Sequence, residues 1–149
     1  IISISLALEL KNAKIIATDI SPDALKYAKI NKDKFQVDIE LIESNYLDKV
    51  NGDFDIIISN PPYIAANYPL DKWVLSEPKT ALIGGQIGDE ILKDIINLAK
   101  SRAKYLICEM GYDQRESMKN YLDKLDFQSE FYTDLAGLDR GFIAYNKGK

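Results

Sequence analysis

The four consecutive residues Asn60, Pro61, Pro62 and Tyr63 have the clearest capacity for chemistry in this chain. An asparagine side chain offers an acceptor oxygen and an amide donor, and prolines hold the backbone rigid while their own carbonyl groups stay free to accept hydrogen bonds. A tyrosine adds a flat face for stacking. Such a set can bind a planar –NH2 group by hydrogen bonds and stacking. An enzyme that methylates an amide or amino nitrogen needs this capacity. A proline-rich turn that simply ends a strand is the alternative interpretation.

The position of these residues along the chain favours the chemical interpretation. They follow an apolar run that predicts a buried strand over Phe54–Ser59. Open α/β sheets bind their ligands at the carboxyl ends of their strands. We therefore expect the residues from Asn60 to Tyr63 to face a ligand at that edge of the sheet.

Two further polar positions end predicted strands on the same edge. Asp19 ends a strand predicted over residues 14–19, where a carboxylate can accept both hydroxyls of a ribose; a helix-capping or loop aspartate is the alternative. Asn45 and Tyr46 follow the next predicted strand, where the tyrosine could lie against an adenine ring and the asparagine could hydrogen-bond its edge. A tyrosine on an ordinary surface loop is the alternative there.

Composition excludes several classes of chemistry. The 149 residues include no histidine and one cysteine, Cys108, which excludes histidine bases, Ser-His-Asp triads, and histidine or thiolate metal sites. One cysteine gives no internal disulfide framework, so a reducing cytoplasm is the expected location, and the apolar runs are too short to span a membrane. A net charge of −4 disfavours nucleic acid as a partner without excluding it.

Predicted strands and helices alternate along most of the chain, which indicates an α/β sheet with mostly parallel strands. The last two strands have no helix between them, so we expect an antiparallel strand at that end of the sheet. No linker or repeat is visible, and we expect a single domain over residues 1–149. The remaining predicted helices lie at 1–10, at 90–99, at 114–124 and directly after a cap formed by Ser21 and Pro22. The remaining predicted strands lie at 38–43, 105–109, 127–132 and 141–145.

A long loop is predicted over residues 65–87, and loops of this length inside a compact domain are usually functional. The glycines in it and directly after it, Gly84, Gly85 and Gly88, could let the backbone approach a ligand or could be plain turn residues. Further along, Asp139 and Arg140 are predicted to form a turn with a local ion pair.

Taken in order, these motifs resemble the HemK/PrmC family, the N5-glutamine methyltransferases of peptide-chain release factors. Asn-Pro-Pro-Tyr alone is shared with nucleic-acid adenine methyltransferases, whereas the other motifs are more specific, and together they cover nearly the whole chain. The matching segments are 18–25, 60–64, Glu77-Pro78 with Ala81-Leu82 and Gly84-Gly85, 109–111 with Gln114, and 134–137 with Asp139-Arg140.

The resemblance implies a fold and a cofactor. The fold would be the Rossmann-like sheet of class I methyltransferases, and the methyl donor would be S-adenosyl-L-methionine. By resemblance, Asp19 holds the ribose, Tyr46 lies by the adenine, and Asn60 sits between cofactor and substrate.

The resemblance also implies a substrate, a glutamine side chain in the Gly-Gly-Gln loop of a release factor. Asn60, Pro61, Pro62 and Tyr63 would bind that side chain, and Asn60, Pro61 and Tyr63 would act in catalysis. The release factor would be the protein partner, with no metal and no membrane involved.

The chain departs from the family pattern in two places. The family's Gly-rich loop, the central strand before it and an N-terminal helical domain would all lie before Ile1. We therefore expect a partial catalytic domain that lacks the first strand and binds the cofactor poorly. In addition, Asn45 and Tyr46 stand where the family often has aspartate and tryptophan.

Two other functions fit the same residues. An adenine-N6 methyltransferase of nucleic acids meets the same hydrogen-bonding problem and would stack a flipped base on Tyr63, but the acidic composition and the family-specific loop argue against it. A non-catalytic module that kept the scaffold and lost its cofactor loop is the other alternative.

Overall fold

The computed structural model describes residues 1–71 and 74–149, which form two compact units, Ile1–Gly52 and Asp53–Lys149. Strands and helices alternate as the sequence predicts. In chain order the main elements are α1 (Ile2–Glu9), β1 (Ile16–Asp19), α2 (Pro22–Phe35), β2 (Glu40–Glu43), β3 (Phe54–Ser59), β4 (Ile64–Ala65), β5 (Ile83–Gly85), α3 (Glu90–Arg102), β6 (Ala103–Glu109), α4 (Arg115–Lys124), β7 (Phe127–Thr133) and β8 (Asp139–Asn146).

In the first unit, β1 and β2 pair in parallel through the crossover helix α2, with Asp19 opposite Glu43. The helix starts where its cap predicts. The hydroxyl oxygen of Ser21 accepts a hydrogen bond from the Ala24 amide at 3.3 Å, and Pro22 occupies the first turn, where its missing N–H costs nothing. The predicted Ser-Pro cap is confirmed, and it fixes where the chain turns after Asp19.

The second unit contains a four-stranded sheet in the order β3-β6-β8-β7. The strands β3 and β6 run parallel, and β8 runs antiparallel to both of its neighbours. This confirms the mostly parallel α/β sheet with an antiparallel strand at one end. Helix α3 packs on β6 and helix α4 packs on β7. The fully buried apolar side chains of this unit include Leu92, Ile96, Leu106, Met118, Leu122 and Phe142.

The segment between residues 65 and 87 is more ordered than the predicted loop. Its two ends form a short parallel pair, β4 with β5, and two single turns of 3₁₀ helix lie between them, Val74–Ser76 and Lys79–Ala81. Lys72 and Trp73, which belong to the predicted loop, lie outside the described residues. Strands of two or three residues are too short to show a period in the sequence, so the pairing was missed.

The predicted ion pair between Asp139 and Arg140 is wrong. Both residues belong to β8, and successive side chains on a strand point to opposite faces of the sheet. The carboxylate of Asp139 instead lies 2.6 Å from the guanidinium of Arg115, at the start of α4. This pair is partly exposed and contributes little to stability.

The helices in the described ranges are all too short or too polar to cross a bilayer.

Asn146 joins three parts of the second unit by hydrogen bonds. Its side chain is fully buried, and its amide nitrogen donates to the carbonyl groups of Lys100 and Ala103 at 2.9 and 3.0 Å. Its side-chain oxygen accepts from the Lys100 ammonium at 3.2 Å and the Gly148 amide at 3.1 Å. The last strand of the sheet is thereby tied to the junction between α3 and β6.

We expect Asn146→Leu to lower the free energy of unfolding by about 1–3 kcal/mol, because it leaves buried carbonyl groups without donors. Urea denaturation followed by circular dichroism measures the change. The matched control is Asn120→Leu on the exposed face of α4, which should stay within about 0.5 kcal/mol of the parent. Equal stability of the two variants would contradict this role of Asn146.

Candidate functional site

The segment Asn60 to Tyr63 leaves the sheet at the carboxyl end of β3, as the sequence predicts. Asn60 is exposed, Pro61 is buried, and Pro62 and Tyr63 are half-buried. Because Ser59 pairs with Cys108, this segment starts beside the end of β6. The structure therefore presents the Asn60 side chain to solvent on a backbone that its two prolines make rigid.

Two glycines of the neighbouring segment pack directly against this backbone. A Cβ atom on Gly84 would lie 2.6 Å from the Pro62 carbonyl oxygen and 2.8 Å from the Tyr63 Cα. Gly88 has a φ of +98°, and a Cβ atom there would lie 2.7 Å from the Tyr63 carbonyl oxygen. The sequence left open an approach to a ligand or a plain turn, and the structure shows a third arrangement, in which these glycines give room to the backbone of Pro62 and Tyr63.

Glu90 holds the glycine segment in place. Its carboxylate accepts hydrogen bonds from the amides of Ile87 at 3.0 Å and Gly88 at 2.8 Å. The bond from Ile87 is the largest of the backbone contributions that lower the pKa of Glu90. In the sequence this residue stands out only as the start of a predicted helix. The sequence signal for this role is an acidic residue in the first turn of α3, two positions after the glycine whose amide it binds.

Gln114 connects the same segment to the end of β6. Its side-chain nitrogen donates to the Tyr63 carbonyl at 2.9 Å, and its side-chain oxygen accepts from the Gly111 amide at 2.8 Å. The sequence marked Gln114 only as part of a family motif and as a helix start. A hydrogen bond to a residue 51 positions away leaves no local pattern.

Two exposed tyrosines also meet near the ends of these segments. Tyr68 and Tyr112 are each about half exposed, and a hydrogen bond between their side chains is the main cause that raises the pKa of Tyr112. Neither residue stands out in the sequence by itself. The pair links the segment after β4 to the segment after β6.

Cys108 takes no part in chemistry at this edge of the sheet. The side chain is fully buried, and burial raises the pKa of its thiol to about 12. A neutral, enclosed thiol is a poor nucleophile. Within the part of the chain that the structure describes, no cluster of metal-ligating side chains was found either.

In the first unit, Asp19 ends β1 with an exposed side chain. One carboxylate oxygen accepts a hydrogen bond from the Ser21 amide at 2.8 Å, which closes a local turn before α2, while Ser21 and not Asp19 caps the helix. A carboxylate has about four acceptor positions on its two oxygens. Accepting the Ser21 amide and accepting a ribose hydroxyl are therefore compatible roles.

Asn45 and Tyr46 lie in the turn after β2, which a buried serine organises. Ser44 is 3% exposed, and its hydroxyl oxygen accepts from the Lys49 amide at 3.1 Å. The Asn45 amide donates to the Asp48 carboxylate at 3.2 Å. Tyr46 is half-buried with a φ of +46°, an uncommon conformation for a residue with a side chain, which is concentrated at functional sites.

Comparison with known proteins places this geometry in a family. The model of the methyltransferase small domain matches residues 1–75, half of the chain. The chain belongs to the methyltransferase small domain family. The chain's segments from β1 through the Asn60 turn all lie within this match.

The resemblance to release factor methyltransferases is confirmed by sequence. The chain is 37% identical, over 151 aligned residues, to the release factor glutamine methyltransferase of Aquifex aeolicus, and the match covers 96% of the chain and 54% of that enzyme. The chain thus spans about half the length of the curated relatives of this name.

Solved structures confirm the class I methyltransferase fold. The ribosomal protein L11 methylase of Lactobacillus delbrueckii subsp. bulgaricus matches with a TM-score of 0.71 at 24% identity, covering 98% of the chain and 64% of that structure. TrmK of M. capricolum, solved with S-adenosyl-homocysteine, matches with a TM-score of 0.62 at 15% identity, covering 97% of the chain and 57% of that structure.

We expect Gly84→Ala to destabilise the second unit by about 1–3 kcal/mol, because the added methyl group overlaps backbone atoms of Pro62 and Tyr63 that have little room to move. Thermal unfolding measures the loss. Gly148→Ala is the control, since a Cβ atom there meets its nearest neighbour at an ordinary 3.5 Å. If the two variants melt alike, Gly84 does not pack as described.

We expect Cys108 to resist a water-soluble thiol reagent in the folded protein at pH 8. The thiol stays neutral below its raised pKa of about 12, and the thiolate is the reactive form. Colorimetric titration with a disulfide reagent checks this, with the same titration in denaturant as the control. Rapid labelling of the folded protein would show that the thiol is accessible.

Proposed function

We propose that this chain is a catalytic portion of an S-adenosyl-L-methionine-dependent methyltransferase that modifies N5 of the glutamine in the Gly-Gly-Gln motif of peptide-chain release factors. The observation that carries the proposal is the exposed Asn60 on the rigid Pro-Pro-Tyr backbone at the carboxyl end of β3. The name of the Aquifex aeolicus relative supports the glutamine substrate, and a release factor would be the protein partner.

The residues of the first unit fit the proposed cofactor. Asp19 offers an exposed carboxylate with acceptor capacity beyond its bond to the Ser21 amide, which suits the ribose hydroxyls. Tyr46 and Asn45 would contact the adenine, the tyrosine by stacking and the asparagine by a hydrogen bond to the ring edge. When bound, S-adenosyl-L-methionine supplies a methyl group on a sulfonium, which is electrophilic without help from a metal.

In the second unit, Asn60 and Pro61 would orient the nucleophile. An amide nitrogen is a weak nucleophile because its lone pair is delocalised into the carbonyl group. The Asn60 side-chain oxygen and the Pro61 carbonyl would accept its two N–H bonds, which aims the lone pair and stabilises positive charge that develops on nitrogen. Pro62 keeps this backbone rigid, and Tyr63 packs against the flat amide.

Orientation is the main contribution this site offers. Holding reactants in the productive geometry can supply about 7–11 kcal/mol of a barrier. In the proposed step the amide nitrogen would gain the methyl group as the S–CH3 bond breaks, and the nitrogen would then lose one N–H proton to solvent. This needs no histidine base and no covalent intermediate with the enzyme. A chain without histidine is therefore compatible with this reaction.

The direct test is methyl transfer to a purified release factor. The protein that contains this chain is incubated with S-adenosyl-L-methionine and the factor, and peptides are sequenced by mass spectrometry. We expect one added methyl group on the glutamine of Gly-Gly-Gln and none when that glutamine is replaced by alanine. Demonstrated cofactor binding without this methyl group would favour an adenine substrate or another amide, and no cofactor binding would favour a non-catalytic module.

We expect Asn60→Ala to lower kcat for methyl transfer by at least about 100-fold, because removing one preorganised partner of a developing charge has effects of that size. The melting temperature should stay close to that of the parent, since the side chain is exposed. Asn120→Ala is the matched control. Near-normal turnover by Asn60→Ala would reject the assigned role.

A further inference from the structure

The Gln114 side chain forms a bridge between two segments that leave neighbouring strands. It is 8% exposed and stands directly before the first residue of α4. Its amide nitrogen donates to the Tyr63 carbonyl at 2.9 Å and its oxygen accepts from the Gly111 amide at 2.8 Å. The segment after β3 and the segment after β6 are therefore connected through a single side chain.

A primary amide of this length is the chemistry that the bridge requires. One donor and one acceptor must lie in one plane, at a spacing that reaches a carbonyl on one side and an N–H on the other. Methionine has a similar length but neither group, and asparagine is one methylene shorter. The backbone of Gln114 is itself held by the helix, since its carbonyl accepts from the Met118 amide at 2.9 Å.

The bridge fixes a carbonyl group that belongs to the substrate-binding segment. Gly88 also packs close to the Tyr63 carbonyl oxygen, and the amide of the next residue, Ile64, donates to the Leu82 carbonyl at 3.0 Å. The backbone at Tyr63 and Ile64 is thus held from two segments, the one that contains Leu82 and Gly88 and the one that contains Gln114. Asn60 and Pro61 are a few residues away on the same rigid backbone, so their positions depend on this attachment.

We propose that Gln114 is a positioning residue for the reaction, which sets the place of the Asn60 and Pro61 acceptors by holding the Tyr63 carbonyl. The inference rests on the proposed function, because it assigns Gln114 a part in orienting the amide substrate. A displacement of about 1 Å at a reacting group can cost about 100-fold in rate. The residue itself touches no reacting atom.

The first measurement is independent of any activity. Hydrogen exchange is followed by NMR in the parent and in Gln114→Met, at the amides of Ile64 and Ala66, which donate to Leu82 and Gly85. We expect both amides to exchange about tenfold faster in the variant, because loss of the bridge favours local opening of this backbone. Gln128→Met, the same change at an exposed position on β7, should leave both rates unchanged.

The second measurement separates positioning from plain destabilisation. We expect Gln114→Met to lower kcat for methyl transfer about 10- to 100-fold while KM for the release factor changes less than about threefold. The affinity for S-adenosyl-L-methionine should be that of the parent. Gln114→Asn, which keeps the amide but shortens its reach, is the second variant if the methionine variant does not fold, with the same direction expected.

Unchanged exchange at Ile64 and Ala66 would overturn the inference whatever the kinetics show. Faster exchange with an unchanged kcat would also overturn it, because Gln114 would then hold the backbone without affecting the reaction. If the parent protein methylates no release factor, the proposed function fails, and the exchange rates still decide whether Gln114 holds the Tyr63 carbonyl.

Discussion

The parallel pairing of β3 with β6 is the constraint on which the second unit depends. The ladder places Ser59 opposite Cys108, so the chain leaves both strands at the same edge of the sheet. The strand β6 is itself central, since β8 pairs with its other side and α3 packs on it. The residues directly after a strand lie close to the end of that strand. The segments that contain Asn60 and Gly111 are therefore close enough for one glutamine side chain to bind both.

Close contact between backbone segments, more than charge, shapes the candidate substrate site. Gly84 and Gly88 approach Pro62 and Tyr63 so closely that neither position has room for a side chain. Backbone packed this tightly cannot shift without displacing its neighbours. Charge enters mainly through Glu90, whose carboxylate holds the amides of Ile87 and Gly88 and thereby supports the glycine segment.

The methyl transfer proposed for this chain is well served by a site built from rigid, closely packed backbone. Methyl transfer from a sulfonium to an amide nitrogen depends on alignment, and rigid acceptors on a fixed backbone supply alignment without titrating groups. The one cysteine is buried and kept neutral. In the first unit the exposed carboxylate of Asp19 has one oxygen engaged in the turn that starts α2, which fixes its direction for the proposed cofactor contact.

Much of the fold could be predicted because the signals are local. The apolar run of β3, the Ser21-Pro22 cap and the amphipathic pattern of α3 each lie within a few residues, and the structure has these elements at nearly the predicted bounds. The pairing of β4 with β5 could not be predicted from the sequence, because such short strands show no alternation of apolar and polar residues. The partner of Asp139 was wrong because adjacent strand residues face opposite ways, which brings Arg115 and not Arg140 to its side.

The sequence by itself determined the residue types at the site and their order: an asparagine, two prolines and a tyrosine after a strand, with a carboxylate after an earlier one. The tertiary structure alone decided what supports them. The contact between Gln114 and Tyr63 spans 51 residues, and the glycines at 84 and 88 lie more than twenty residues beyond the backbone they pack against. Such contacts form when strand pairing brings distant segments together, and nothing in the local sequence encodes that distance.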